Sequence, residues 1–276
     1  MSDRAALAAL GAHFVPAQVA ADLARYSPSE VWQQRVRFDH TGRLAQYRPE
    51  HELSNASLSS RFVIPADPQW PARLADLGPD CPLGLWVRGH DQLPALTTSA
   101  VVVTGNRAAS AEATDHARTF AGAIAEAGHT VAASLAYGID AAAHEAAALM
   151  GGRTLAVLPR GLDRAHPHTH AALLSSVTEN GGAAVSLYPP GTEASSARLK
   201  ASAALIAALA RAVLLIEALD HPEALHTAEA ALTLNRTLLA VPAGDRHRLR
   251  REGNARLLAE HAALPYPDPA RALALL

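Results

Sequence analysis

Between residues 100 and 241 the sequence alternates short, nearly unbroken aliphatic runs with longer alanine- and leucine-rich segments, and this alternation constrains the fold more than any other feature. The runs at 100–104, 129–133, 154–158, 183–187, 212–216 and 237–241 have strand length. The segments between them, 111–127, 140–150, 171–180, 197–209 and 221–234, have helix length. A strand that is apolar on both faces must be covered on both faces, and parallel neighbours need a crossover helix to bring the chain back. The pattern therefore predicts an α/β fold, a three-layer domain with a mostly parallel sheet between helices. In such sheets ligands bind beyond the carboxyl ends of the strands, so the residues that follow each run are the candidates for function.

Two further apolar runs lie upstream, 62–64 closed by Pro65 and 84–89 ended by Gly89, and read as strands. Residues 1–60 have a different texture. Short segments at 5–10, 16–26 and 29–36 read as a small helical domain, and the polar stretch 43–60 reads as its connector. The expected domains are thus 1–60, helical; 61–262, the α/β domain; and 263–276, a C-terminal tail containing Pro265-Tyr266-Pro267-Asp268-Pro269.

Composition narrows the function classes. With 49% hydrophobic and 18% charged residues, the chain is a compact folded protein rather than a disordered one. A formal net charge of -2 gives no general attraction to nucleic acid, so binding of that kind needs a local basic patch. Cys81 is the single cysteine, which excludes an internal disulfide and a multi-thiolate zinc site and fits a reducing compartment. The opening MSDRAALAAL lacks the apolar stretch of a signal peptide. The longest apolar run, 201–210, contains Ser202 and stops at Arg211, well short of the ~20 residues of a membrane span. A soluble cytoplasmic protein with no membrane partner is expected.

Five groups of residues sit at strand ends. Gly105-Asn106-Arg107 follows the first central run, with Ser110 at the start of the next helix. It reads either as a tight turn or as an anion site, in which backbone N–H groups, a helix N-terminus and an arginine fork converge. The G-x-G-x-x-G spacing of a dinucleotide cofactor is missing. Tyr137-Gly138-Ile139-Asp140 opens the following helix, with Asp140 as a cap and His144 four residues on, along the same helix face. An Asp/His pair can perform acid–base chemistry, but no Ser or Cys nucleophile accompanies it at a defined spacing. Arg160-Gly161 follows a third run and can meet phosphate or a surface carboxylate. The nearby His166, His168 and His170 lack the carboxylate or thiolate set of a zinc site. Ser186 precedes a stiff Tyr188-Pro189-Pro190-Gly191 loop, and Glu217 and Thr227 follow the fifth run. Arg246, Arg248, Arg250 and Arg251 form the densest positive stretch, either a solvated face or a backbone-contact patch.

Together these blocks resemble the bacterial DNA-processing protein A (DprA/Smf) family in its actinobacterial style. The resemblance runs through VVVTGNRAAS, YGIDAAAHEAAALMGGRTLAVLPRGLD, AAVSLYPPG, AVLLIEA, LHTAEAALTLNRTLLAVPAG and REGNARLL, in the family's order over roughly residues 60–260. It implies an extended Rossmann-like domain that binds single-stranded DNA in a basic cleft, dimerises, and loads a RecA-like recombinase during DNA uptake. It implies no cofactor and no enzymatic activity. By resemblance Gly105 and Arg107 are phosphate-contact positions, Gly138 and Asp140 belong to a conserved loop, and Arg160 lies in the loop after the next strand. The chain departs from the family where an Arg-Asn-Arg motif falls on Ser202-Ala203-Ala204, and also at Leu187, Pro222-Glu223-Ala224 and Ala243.

Single-stranded DNA binding is the leading expectation. Gly105, Asn106, Arg107, Ser110, Tyr137, Gly138, Asp140, Arg160 and Gly161 would form the contact set, with His144, Ser186, Glu217 and Thr227 supporting it. The alternatives are a relative that takes a nucleotide or small phosphorylated ligand in the same cleft, and a non-catalytic partner-binding protein with a decayed pocket.

Overall fold

In the computed structural model the described residues are 1–243, 249–266 and 268–269. The chain opens with helices α1 (Asp3–His13), α2 (Ala20–Leu23), α3 (Pro28–Arg37), α4 (Arg43–Gln46) and α5 (Pro49–Ala56). Local chemistry sets their starts. Ser2 caps α1 by accepting from the Ala5 N–H, and α3 begins with a reciprocal Ser27/Glu30 capping box and Pro28 in its first turn. Ala6, Ala9, Leu10, Val19, Val31 and Trp32 form the core of this region. The stretch expected as a connector, 43–60, instead carries α4 and α5. Its polarity hid the helices because only one side is apolar: Leu53 and Ala56 pack on Phe62 and Trp86 of the neighbouring sheet.

The α/β part follows as β1 (Arg61–Val63), β2 (Leu85–Gly89), α6 (Leu93–Thr98), β3 (Ala100–Thr104), α7 (Ala111–Glu126), β4 (Thr130–Ala133), α8 (Ile139–Leu149), β5 (Thr154–Leu158), α9 (Ala171–Glu179), β6 (Ala183–Ser186), α10 (Ser196–Leu209), β7 (Ala212–Leu215), α11 (Pro222–Thr233), β8 (Thr237–Ala240), α12 (Glu252–Ala259) and β9 (Leu264–Pro265). The strands form one sheet in the order β1-β2-β6-β5-β4-β3-β7-β8-β9. From β6 to β9 all pairings are parallel, whereas β1 and β2 are antiparallel additions at one edge. The tail expected from residue 263 begins inside this sheet: Leu264 pairs with Leu239, and the Tyr266 N–H donates to the Ala240 carbonyl.

The strict period of two along each strand explains why both faces are covered. Val101, Val103 and Leu214 face Phe120 and Ile124 of α7. Val102, Val213 and Leu215 face Leu205 and Ile206 of α10 and Leu225 of α11. Each such side chain, removed from water, contributes about 1.5–3 kcal/mol. The chain winds outward from β3 through β4, β5 and β6, then returns to β3's other side to start β7 and β8. The loops after β3 and β7 consequently leave in opposite directions and open a crevice between them. Among the described residues, no helix is long and apolar enough to cross a membrane.

Candidate functional site

The turn after β3 is the centre of this crevice, and two glycines determine its shape. A side chain at Gly105 would put its Cβ 2.5 Å from the Glu217 carbonyl oxygen, so the β3 and β7 ends meet through backbone alone. Gly138, at φ +77°, lies against the same turn. A Cβ there would fall 2.4 Å from the Asn106 carbonyl oxygen and 2.5 Å from that of Arg107. The 105–107 turn is thereby held between the β7 end and the start of α8.

Two buried carboxylates complete the clamp. Glu217 is fully buried after β7 and accepts from Asn106 Nδ2 at 3.1 Å, the Ser110 N–H at 3.1 Å and Ser110 Oγ at 2.6 Å. The Arg250 guanidinium stands 4.0 Å from it and donates to the Ala108 carbonyl at 2.8 Å. Asn106 also accepts from the Leu219 N–H and donates to the Arg250 carbonyl. A buried anion surrounded by donors in this way avoids most of its desolvation penalty.

Asp140, only 4% exposed, holds the other side of the turn. It accepts from Thr104 Oγ1 at 2.9 Å, from the Ser134 N–H at 3.0 Å and from Ser134 Oγ. Burial pushes its pKa up to about 6, against the opposing pull of the Ser134 and Thr104 hydrogen bonds. His144 is fully buried one helical turn later and donates from Nε2 to the Ser134 carbonyl at 3.0 Å. Burial drives its pKa down to about 4, so the ring is neutral at pH 7. Both members of the Asp/His pair grip the Ser134 loop, Asp140 through its N–H and hydroxyl and His144 through its carbonyl.

The remaining expected residues divide. Arg107 is exposed at the turn, while Tyr137, 47% exposed, bonds Thr169 through its hydroxyl and meets the His170 ring edge-on. Arg160, expected to face an anion, is 6% exposed and donates to Glu193 Oε1 at 3.0 Å. The loop between β6 and α10 folds over it. Gly161 allows that cover, since a Cβ would lie 2.5 Å from the Pro189 carbonyl oxygen, and its N–H is taken by the Thr192 carbonyl. Ser186 supports the same junction by donating to the Arg160 carbonyl at 2.6 Å. Of the basic stretch, Arg246 and Arg248 lie outside the described residues. Arg250, with its side chain half exposed, enters the crevice. Arg251 is 2% exposed and is spent on the Pro242 carbonyl and Glu112. No group of three or more metal-ligating side chains occurs among the described residues.

The crevice encloses about 660 Å³ between the 105–108 turn, Arg250, Thr227 and α10. Asp140 lies at its floor, and Leu199, Ser202, Ala203 and Ile206 of α10 form the facing wall. Ser202 and Ala203 are therefore short side chains lining the space. Sequence reasoning did not single out His226, which lines the cleft, or Asn254, which is fully buried in α12. Asn254 accepts from the Ala218 N–H and donates to the Leu215, Ile216 and Val241 carbonyls, fixing the ends of β7 and β8. The adjacent Gly253-Asn254 pair was its only visible signal: Gly253 approaches the Leu219 carbonyl closely enough to exclude a Cβ.

Residues 61–270 match the family described as DNA recombination-mediator protein A. The chain is 37% identical over 193 residues to a putative DNA processing protein DprA of Mycobacterium tuberculosis, covering 66% of this chain and 49% of that protein. It is also 37% identical over 185 residues to protein Smf of Escherichia coli, covering 66% of this chain and 48% of that one. The chain thus spans about half the length of the curated relatives it matches. Among solved structures, DNA processing protein A of Streptococcus pneumoniae superposes with a TM-score of 0.75 at 24% identity, over 99% of this chain and 93% of that one. DNA processing protein A of Helicobacter pylori, whose structure addresses its single-stranded DNA binding mode, superposes at 0.69 and 21% identity, over 78% of this chain and 94% of that one. Both share this fold.

Proposed function

Because the chain belongs to the DNA recombination-mediator protein A family, we propose that it binds single-stranded DNA in the cleft between the 105–108 turn and α10. The observation that carries this reading is that Arg250 and the exposed Arg107 line one crevice, at a turn rigidified by Gly105, Gly138, Asp140 and Glu217. Two guanidiniums at a strand-end crevice supply a local cationic site on a protein whose formal net charge is -2. Contacts of this kind address phosphates and read little sequence.

The roles of the other residues follow from their placement. Asp140, His144 and Glu217 hold the turn in shape, and Arg160 and Gly161 hold the loop beside it, whereas Arg107 and Arg250 meet the strand. The protein acts by binding, without a cofactor, in the cytoplasm. As a homodimer it protects the strand and hands it to a RecA-like recombinase. A fluorescence-anisotropy titration of a labelled dT oligonucleotide at two salt concentrations tests the reading, with wild type beside Arg107→Ala and Arg250→Ala. The expected log–log salt slope is about -1.4 for two phosphate contacts, and each variant should lose about half of it. Absence of binding at low salt would overturn the proposal.

One observation favours a second reading, a nucleotide or small phosphorylated ligand. The α10 wall is apolar and short-chained at Leu199, Ala203 and Ile206, and the cleft volume of about 660 Å³ falls within the range of small-molecule pockets. A nucleotide that co-purifies with the protein, in place of oligonucleotide binding, would decide for it.

A further inference from the structure

A line of charged contacts leads from the cleft to a second cavity. His166 lies close enough to Arg107, Arg160 and Glu193 for their charges to act on its ring. Arg160 Nη2 bonds Glu193 Oε1 at 3.0 Å, and the Glu193 carbonyl in turn accepts from Arg198 Nη1 at 2.6 Å. The Arg198 guanidinium then lies over the Tyr188 ring, 5.3 Å from its centroid. Tyr188, Arg198 and the exposed Lys200 line one wall of a groove of about 600 Å³ between the α/β sheet and the N-terminal helices. Helix α10 separates the two spaces: Leu199, Ser202, Ala203 and Ile206 line the cleft, and Lys200, Ala201, Ala204 and Leu205 line the groove.

We propose that a single strand of nucleic acid leaving the cleft crosses the loop before α10 and is held a second time by Tyr188, Arg198 and Lys200 at the mouth of this groove. An arginine set over a tyrosine presents a forked charge and a π surface at fixed separation, and these are the elements that hold a phosphate and a neighbouring base. Lys200 adds a second charge two residues further along α10. The far wall carries Asp80, which keeps phosphates on the α10 side, and His13, whose burial lowers its pKa and leaves it neutral at pH 7. Such a second hold offsets the small side chains at Ser202 and Ala203, because it supplies cations next to the cleft rather than inside it.

This inference rests on the reading of the cleft as the first hold, so the test uses two labelled dT oligonucleotides. One is short enough to occupy the cleft alone, and the other is long enough to reach the groove. In the Arg198→Gln/Lys200→Gln double variant the long oligonucleotide should bind at least about fivefold more weakly, with a salt slope shallower by about 1.4 for two lost phosphate contacts. The short one should bind as it does to wild type. Since Arg198 also braces Glu193, Lys200→Glu at an exposed position repeats the measurement without disturbing that contact, and should weaken only the long oligonucleotide. Unchanged affinity of both oligonucleotides for both variants would overturn the second hold and leave the cleft reading intact. If wild type binds neither oligonucleotide, the cleft reading falls and the second hold with it. Photocrosslinking of a halogenated deoxyuridine oligonucleotide to a peptide containing Tyr188 is the expected direct mark, and crosslinks confined to peptides of the cleft would count against it.

Discussion

On the β3 side of the cleft, a backbone turn is threaded between two glycines and gripped by two buried carboxylates; on the α10 side, a helix presents Leu199, Ser202, Ala203 and Ile206, with a hydrogen bond from Ser202 Oγ to the Leu158 carbonyl at 3.3 Å. The first wall is over-determined and expensive to alter. The second is plain packing and tolerates replacement. A site divided in this way keeps its shape through one wall and can change its ligand through the other. Mutation of the two walls should accordingly have opposite consequences: loss of fold on one side, change of affinity on the other.

The largest effect is expected at Glu217. Glu217→Ala removes the acceptor of the Asn106 amide, the Ser110 N–H and the Ser110 hydroxyl, and leaves buried donors without partners. Urea unfolding should show a loss of about 3 kcal/mol, with Glu217→Gln losing less because an amide oxygen still accepts. An alanine variant as stable as wild type would remove the distinction between the two walls.

Asp140 and His144 sharpen the comparison through pH. The Asp140 pKa rises from 3.8 to about 6 on folding, so the folded state binds more protons than the unfolded one between those values. Its contribution is present below pH 3.8 and is lost as pH rises to about 6. His144 goes from 6.5 to about 4, so the unfolded state binds more protons in that interval and stability grows as pH rises through it. Each amounts to about 3 kcal/mol, and in the wild type the two largely cancel. Asp140→Asn should therefore become more stable from pH 4 to 6.5, and His144→Leu less stable over the same range, as followed by chemical denaturation at stepped pH. Parallel profiles in the two variants would contradict the opposed burial of the pair.

Arg250 and Arg251 bring the comparison down to adjacent residues. Arg250→Gln removes a half-exposed cation 4.0 Å from Glu217 and its bond to the Ala108 carbonyl, so it should cost less stability than Arg251→Gln while reducing the salt slope of oligonucleotide binding by about 0.7, as the loss of one phosphate contact requires. Arg251→Gln should show the opposite balance. It removes a buried guanidinium from the Pro242 carbonyl and Glu112 and costs about 1–3 kcal/mol of stability, with a salt slope like that of the wild type.

Much of this arrangement was legible before the structure. The central strands declared themselves because both faces are buried, and their order along the chain located the strand-end residues. The turn at 105–107 and the glycine at 138 were found in the same way. What could not be read was which polar groups turn inward. Arg160 and Arg251 look like surface cations in sequence, and their burial depends on Glu193 and Glu112, carboxylates far away along the chain, and on the Pro242 carbonyl. Helix α5 and strand β9 were missed for a related reason. Their few apolar residues acquire meaning only against Phe62 and Trp86 for the helix, and against β8 for the strand.

The smallest expected effect tests the plain wall. Ala203 is partly exposed to the cleft, and its neighbours on α10 are braced by packing rather than by a polar network. Ala203→Arg places a long cation on that wall, where its stem can lie along Leu199 and its guanidinium can reach toward the space before Arg107. Stability should change by less than about 1 kcal/mol, because an arginine stem at a half-open helix position need not displace the core. Oligonucleotide affinity should rise, and the salt slope should steepen by about 0.7, the value of one added phosphate contact. Higher affinity with an unchanged slope would mean that the new side chain packs on a base instead of pairing with phosphate. Lower affinity would mean that the α10 wall is shaped for the face of its ligand, and that its short side chains are the reason the ligand fits.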